Sequence, residues 1–532
     1  MVEQNRYPFY LFLLSAVIFF VGLGARDFWA PVEPRYAEIA RVMFSKGEWI
    51  VPTVNGELYT DKPILYFWLV LIASQAVGAV NEWTVRLPSA VGALGVVLIT
   101  YAFGRDFFSP RVGFMAGAII ATSVRVIWEG RWAHVDMLFT CFFALSIYFA
   151  ARAVFKLGSR NEMLLAYAAM ALATLTKGLI GVVLPALLFL SFVIIRRDWR
   201  LILEARLPWG IILFLLVAAP WFALIDQATD GRWLGEFIYL HHIQRYTAGE
   251  GHRQPFYYYL TTLPADFSPW TVLAIPALFA GRSWRKAWSQ SVSVFFVLWF
   301  SAVFLFFSLS DTKRDLYLLP LFPTLALLVA SYMDELITGS LAQNAAYQIP
   351  ALVLFSTLTI IGLSFPIAAW IFRKEVVWIS LPASVILAAG GLFGIRFLRT
   401  REPLKVFMSI VLLILSIIIY APVSIFPYLE QFKSPRPFSE KIKSGVPSAA
   451  PLYVYADKMN DFNFYAEREI IPVVSSPSEL QKLAAQGQVS YLLIKKKDMR
   501  QASFLANETI IARQAAEERS WYLFALGNRR DP

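Results

Sequence analysis

The sequence predicts a polytopic α-helical membrane protein that ends in a small soluble α/β domain. Three observations predict it. Of the 532 residues, 58% are hydrophobic and 16% charged, against about 45–50% and 25% in an ordinary soluble domain. Apolar runs able to cross a ~30 Å hydrocarbon core recur from Pro8 to Ser424, and the mean hydropathy is +0.56. After Pro427 the pattern becomes that of a soluble domain.

The first apolar run, Pro8 to Gly24, has no small-residue cleavage site and is followed directly by Arg26, Asp27, Phe28 and Trp29. It reads as a membrane anchor, not as a secretory signal. About thirteen runs reach spanning length by the ~20-residue criterion, centred near residues 16, 95, 120, 146, 169, 187, 216, 274, 300, 325, 360, 386 and 414. The fifth and sixth are separated at Lys177-Gly178.

The net charge of +11 sits in short loops, where positive-inside topology accounts for most of it, so no nucleic-acid partner is implied. A cytoplasmic N-terminus places Arg105/Arg111, Lys156/Arg160, Arg196/Arg197/Arg200, Arg282/Arg285/Lys286 and Arg396/Arg399/Arg401 inside, with Asp334-Glu335 as an acidic exception. Residues 25–85, 128–136, 226–266, 310–316 and those after about 425 then share the opposite face. The one cysteine, Cys141, forms no intrachain disulfide. The chain divides in this reading into a membrane domain, 1–425, and a C-terminal domain, 426–532.

In the C-terminal domain, residues 433–447 carry Pro435, Pro437, Gly445 and Pro447 and read as a linker. PLYVYAD (451–457), YLLIKK (491–496) and WYLFAL (521–526) read as strands, and SPSELQKLAAQG (476–487) as a capped helix.

The charged island at 31–63 is the first candidate for chemistry. Tyr36, Ile39, Ala40 and Met43 share one helical face, with Glu38 and Arg41 on the other. Pro34 suits the first helical position, which places Glu33 at the N-cap beside the positive end of the helix dipole. Gly47 closes that helix. Pro63 opens a second, apolar helix, with Lys62 just before it. Both read as interfacial helices, and a solvated elbow is as consistent with these residues as a binding site. Asp136, the only acid between Glu129 and Glu162, begins a spanning segment. An ionisable group there is a functional candidate or else a flank paired with Arg131 or His134. Lys177 is either a snorkelling lysine or a ligand for phosphate. Three of the four histidines fall within 241–252, with no metal-binding spacing such as HExxH.

EPRYAEIARVM…GEWIVPTVNGELYTDKPILYFW resembles the first external loop of polyprenyl-phosphate-sugar-dependent glycosyltransferases of the GT-C superfamily. The nearest family is the bacterial lipid A 4-amino-4-deoxy-L-arabinose transferases, with the protein O-mannosyltransferases more distant. GRWAHVDMLFTCFFAL (130–145), ATLTKGLIGVVLPALL (173–188), PWFALI (220–225), FIYLHHIQRYTAGEGHRQPFYYYL (237–260) and SLSDTKRDLYLLPLFPTLALL (308–328) extend the resemblance over residues 8–330. It implies transfer of a sugar, aminoarabinose in the nearest family, from an undecaprenyl-phosphate-type donor to lipid A, another glycan or a protein, at the periplasmic face of the bacterial inner membrane. The implied catalytic acids are Glu33 and Asp136, although Val32 stands where relatives place an aspartate. The implied donor-phosphate ligands are Lys62, Tyr59, Lys177, Arg245, Arg253 and Lys313, with Arg314 beside them. Asp61 and His242 match positions that can hold a divalent ion (Zn, Mg or Mn), the one cofactor the resemblance admits. Readings of another kind are a lipid-linked-sugar flippase, against which the one-sided charges argue, and a lapsed relative that only binds lipid phosphate.

Overall fold

The computed structural model describes residues 6–159, 161–244 (241–243 without side chains), 253–280, 291–339, 345–457, 460–485, 489–502, 505, 508–514 and 520–526. They fall into two compact units: 1–23, 60–66 and 86–425 in the first, 24–59, 67–85 and 426–532 in the second. The second unit therefore draws on the first loop as well as the C-terminal residues.

Among the described residues, eight helices are long and apolar enough to cross a membrane: Glu82–Phe107, Val135–Val154, Leu207–Ala228, Ser291–Leu309, Asp315–Ile337, Ala345–Phe372, Lys374–Arg399 and Pro403–Lys433. Five of the thirteen expected runs are shorter or broken. Pro110–Ala121 and Val124–Gly130 meet at a 64° bend. The break coincides with Thr122 and Ser123, whose hydroxyls bond back to the carbonyls of Ala118 and Ile119, a pairing that bends or ends helices. Glu162–Lys177 and Ile180–Arg196 are separated by Gly178 at φ 90°. Gly181 lets that second helix lie against the first, since a Cβ there would fall 2.4 Å from the Thr174 nitrogen. The remaining two are Tyr7–Phe20, also short, and Thr271–Ala280, which adjoins residues outside the description.

In the second unit the Val32–Lys46 helix begins two residues before Pro34. Glu33 consequently lies inside the first turn, not at the N-cap, and its carboxylate accepts the Trp29 N–H at 3.0 Å. Gly47, at φ 64°, ends the helix as expected, and the Glu48 N–H reaches the Met43 carbonyl. Glu38, expected on a solvated face, is buried and paired with Arg41 at 2.7 and 2.8 Å. The hairpin β1 (Thr53–Val54) and β2 (Glu57–Leu58) turns on Asn55-Gly56, both at positive φ, the usual chemistry of a two-residue hairpin. The following apolar helix starts at Leu65, two residues after Pro63.

A five-stranded sheet follows: β3 (Leu452–Tyr455), β4 (Val473–Val474), β5 (Ser490–Lys495), β6 (Thr509–Gln514) and β7 (Trp521–Leu526). Its order is β4-β3-β5-β7-β6, with β3 parallel to β4 and β5, and β7 antiparallel to β5 and β6. The three expected strands are present. β4 is too short to show in sequence, and β6 breaks register at Ile510/Ala512. The expected linker at 433–447 is instead largely the helix Arg436–Gly445. Its prolines sit at the N-cap and first turn, where no helical N–H is lost, and Phe438, Ser439 and Ile442 are buried at i, i+1, i+4.

The first loop is tied into this unit by specific pairs. Asn55 donates to the Ile471 carbonyl at 3.0 Å and accepts its N–H at 2.6 Å. Asp27 accepts from Ser434 and Arg436 at 2.7 and 3.1 Å. The Tyr465 hydroxyl accepts the Phe28 N–H and donates to Glu82.

Candidate active site

In the first unit the buried charges gather where several apolar helices begin or end. His134 has an extended backbone and precedes the Val135–Val154 helix. Asp136 occupies that helix's first turn, where the dipole favours a carboxylate. Lys177 closes the Glu162–Lys177 helix, where the dipole favours a cation.

These three meet. The Lys177 ammonium donates to Asp136 Oδ1 and lies 5.0 Å from the Phe139 ring centre and 4.7 Å from that of Tyr317, a geometry in which ring faces attract the cation. Asp136 Oδ2 contacts His134 Nδ1, and Glu129 Oε2 lies 3.9 Å from the same nitrogen. Ser89 holds the His134 backbone, donating to its carbonyl at 2.8 Å and accepting its N–H at 3.3 Å. Tyr66 packs behind, its hydroxyl 3.1 Å from that of Ser89. Arg131 donates to the Ile18 and Val21 carbonyls at 2.6 and 2.9 Å.

A second network adjoins through Glu129. Arg125 donates to Asp266 Oδ1 at 2.7 and 3.0 Å, to Glu129 at 3.4 Å, and to Asp315. Burial raises the Asp266 carboxyl above its ordinary pKa, against the pull of Arg125. Sequence reasoning missed this network, because its members lie 141 and 190 positions apart and no local motif links them.

Lys62 Nζ bonds Asp61 through the backbone carbonyl at 3.0 Å and the carboxylate at 3.3 Å. The neighbouring Thr60 hydroxyl donates to Glu236 at 3.2 Å. Lys313 is buried, with Nζ on the carbonyls of Gln254 at 3.1 Å and Ser310 at 2.5 Å. It staples two loops, and Arg253 bridges to Thr312 in the same place. Glu33 and Tyr59 belong to the second unit. The Glu33 carboxylate, 0% exposed, takes the Arg26 guanidinium at 2.5 and 3.1 Å, while Tyr59 stands edge-on to Phe67. Arg245 and the His242 side chain lie outside the described residues. Of the two residues expected to hold a divalent ion, the structure thus describes Asp61, already facing Lys62. Among the described residues, no three His, Cys, Asp or Glu side chains are arranged to hold a metal.

Residues 61–223 match the family of dolichyl-phosphate-mannose-protein mannosyltransferases. The chain is 27% identical over 496 residues to the undecaprenyl phosphate-alpha-4-amino-4-deoxy-L-arabinose arabinosyl transferase of Enterobacter sp. (strain 638), covering 90% of this chain and 87% of that one. Its Pseudomonas aeruginosa counterpart is 32% identical over 329 residues, 60% of this chain and 58% of that protein. Among solved structures, ArnT from Cupriavidus metallidurans bound to undecaprenyl phosphate superposes with a TM-score of 0.80 at 22% identity, over 97% of each chain. The oligosaccharyltransferase AglB from Archaeoglobus fulgidus gives 0.53 at 12% identity, over 98% of this chain and 74% of that one. Both likenesses are of fold.

Proposed function

We propose that this chain, similar over most of its length to the aminoarabinose transferases, is a membrane glycosyltransferase. It takes a sugar from an undecaprenyl-phosphate-type donor and passes it to lipid A or another glycan acceptor. The multi-pass chain lies in the bacterial inner membrane with its site facing the periplasm. The observation that carries the reading is Asp136, buried in the first turn of an apolar helix, with the Lys177 ammonium on one oxygen and the His134 ring against the other. Ionisable groups at such depth are costly and persist where chemistry needs them.

The leaving group is a lipid phosphate, a weak base that needs charge neutralisation more than a proton. Lys62 supplies the charge, its ammonium steadied by Asp61. Arg253, Arg245 and Tyr59 complete the donor-phosphate contacts in this reading. Lys313 contributes by fixing the loops that carry Arg253 and Arg314, its own ammonium being spent on carbonyls. Lys177 belongs to the acid–base group, holding Asp136. Glu33, engaged by Arg26 and the Trp29 N–H, holds the first loop in shape. The acceptor oxygen attacks the anomeric carbon from the side opposite the phosphate, so one displacement inverts that centre. A divalent ion at Asp61 and His242 remains part of the reading. Loss of transfer on chelation, restored by one added ion, tests it.

The decisive experiment supplies purified protein with undecaprenyl-phosphate-linked sugars and lipid A, and follows transfer by mass spectrometry. Lys62→Met is expected to raise the donor KM, and Asp136→Asn to abolish turnover. Wild-type protein inert toward every donor, or both variants at wild-type rate, defeats the proposal.

A further inference from the structure

We propose that Ser89 is a positioning residue of the transfer, its hydroxyl holding the segment that carries Lys62 in register with the helix that carries Asp136. This rests on the transferase reading above and adds to it a residue that acts on the reaction only through others.

Ser89 lies in the Glu82–Phe107 helix and is 0% exposed. The usual course for such a hydroxyl is a bond back to the carbonyl three or four residues earlier in its own helix. Thr100, Thr140, Ser146 and Thr176 all take it. The Ser89 hydroxyl instead reaches 45 positions along the chain, to His134. A serine oxygen has one hydrogen to give and two lone pairs to fill. The hydrogen goes to the His134 carbonyl at 2.8 Å, and one lone pair takes the His134 N–H at 3.3 Å. The third contact, 3.1 Å to the Tyr66 hydroxyl, then has Tyr66 as donor and fills the remaining lone pair. The whole capacity of this hydroxyl is spent on two distant segments.

Each of those segments carries one half of the proposed site. His134 is the N-cap of the Val135–Val154 helix, with φ −152°, ψ 148° and no capping bond from its own side chain. Holding both polar groups of its backbone fixes the peptide planes that aim the first helical turn, and Asp136 is the second residue of that turn. Tyr66, also 0% exposed, is the second residue of the Leu65–Val77 helix and stands four positions after Lys62. Pro63, between them, has its φ locked by the ring, which shortens the slack from Tyr66 back to the lysine. One buried oxygen therefore couples the place of the donor-phosphate cation to the place of the carboxylate. A misplacement of about 1 Å between reacting groups can cost about 100-fold in rate, so the coupling matters to turnover more than to binding.

The test is a double-mutant cycle on Ser89→Ala and Tyr66→Phe, with transfer from undecaprenyl-phosphate-linked sugar to lipid A as the assay. Rates are taken per undecaprenyl-phosphate-binding site, so that a loss of folded protein does not register. Ser89→Ala is expected to lower kcat about 10–100-fold, with the donor KM and the affinity for undecaprenyl phosphate within about two-fold of wild type. Tyr66→Phe, which removes one hydrogen bond, should lower kcat about 3–10-fold. Because Tyr66 acts through the Ser89 oxygen, the double variant should match Ser89→Ala alone. A Ser89→Ala kcat within about three-fold of wild type overturns the proposal, as does a double variant whose loss is the product of the two single losses. Should Ser89→Ala fail to fold, Tyr66→Phe decides, and a wild-type kcat in that variant overturns it. Each of these results leaves the transferase reading standing, whereas wild-type protein with no transfer from any donor defeats both.

Discussion

Breaking the buried Arg26–Glu33 pair is expected to destabilise the second unit. The carboxylate is 0% exposed and the guanidinium 6%, joined by two hydrogen bonds of 2.5 and 3.1 Å, with the Trp29 N–H adding a third at 3.0 Å. Arg26 also stacks 4.6 Å over the Trp29 ring. Arg26→Met leaves a buried carboxylate without its guanidinium, at a cost of about 3–5 kcal/mol. Glu33→Leu takes the carboxylate from a guanidinium that keeps its bond to the Asp27 carbonyl at 3.1 Å, and also destabilises. Replacing both removes the buried charge altogether, and buried pairs exchanged for apolar side chains are often neutral. The Trp29 N–H then loses its acceptor, at about 1–3 kcal/mol, so the double variant should lie closer to wild type than either single one. The assay is reversible unfolding in mixed micelles, followed by tryptophan fluorescence as a double-mutant cycle. Singles within about 1 kcal/mol of wild type, or a double variant equal to the sum of the singles, would refute the reasoning. The same proteins decide whether Glu33 reacts. A folded double variant that still transfers sugar shows a structural acid, whereas a loss above about 100-fold marks a catalytic one.

Three further outcomes are expected. Gly47→Ala should cost about 1–2 kcal/mol, because φ is 64° while nothing lies within 4 Å of the added Cβ; thermal unfolding reads it, and Gly47→Asn should cost less. Lys313→Met should lower stability by about 1–3 kcal/mol through the two stranded carbonyls, read by thermal unfolding, and a variant as stable as wild type would contradict the stapling role. Burial pushes Glu38 up to about 7, against the pull of Arg41. A carboxyl raised on folding stabilises fully below its unfolded value, 4.5, and that contribution is lost as pH climbs through about 7. Glu38→Gln should flatten the stability profile across that window, and an unchanged slope contradicts the assignment.

Much of the membrane unit was legible because apolar runs and basic loops are local signals. Asp136 and Lys177 stood out for the same reason, as lone charges in apolar sequence. Helix endings were less legible. The bend at Thr122-Ser123 depends on hydroxyls turning back onto carbonyls, and the residues 433–447 hide a helix because prolines at a helix start resemble those of a linker. Lys313 looked like a phosphate ligand by its charge, but its fate was set by the carbonyls of Gln254 and Ser310.

The sequence by itself determined that the chain is a multi-pass membrane protein with a small α/β unit, since hydropathy and strand composition need only neighbours along the chain. It also singled out Glu33, Lys62, Asp136 and Lys177. Only the tertiary structure decided what each of them touches. Lys177 reaches across 41 positions to Asp136, Arg125 gathers acids from two distant segments, and Glu33 turns to Arg26. A buried charge must find its partner in space, and spacing in sequence does not disclose which one the fold delivers.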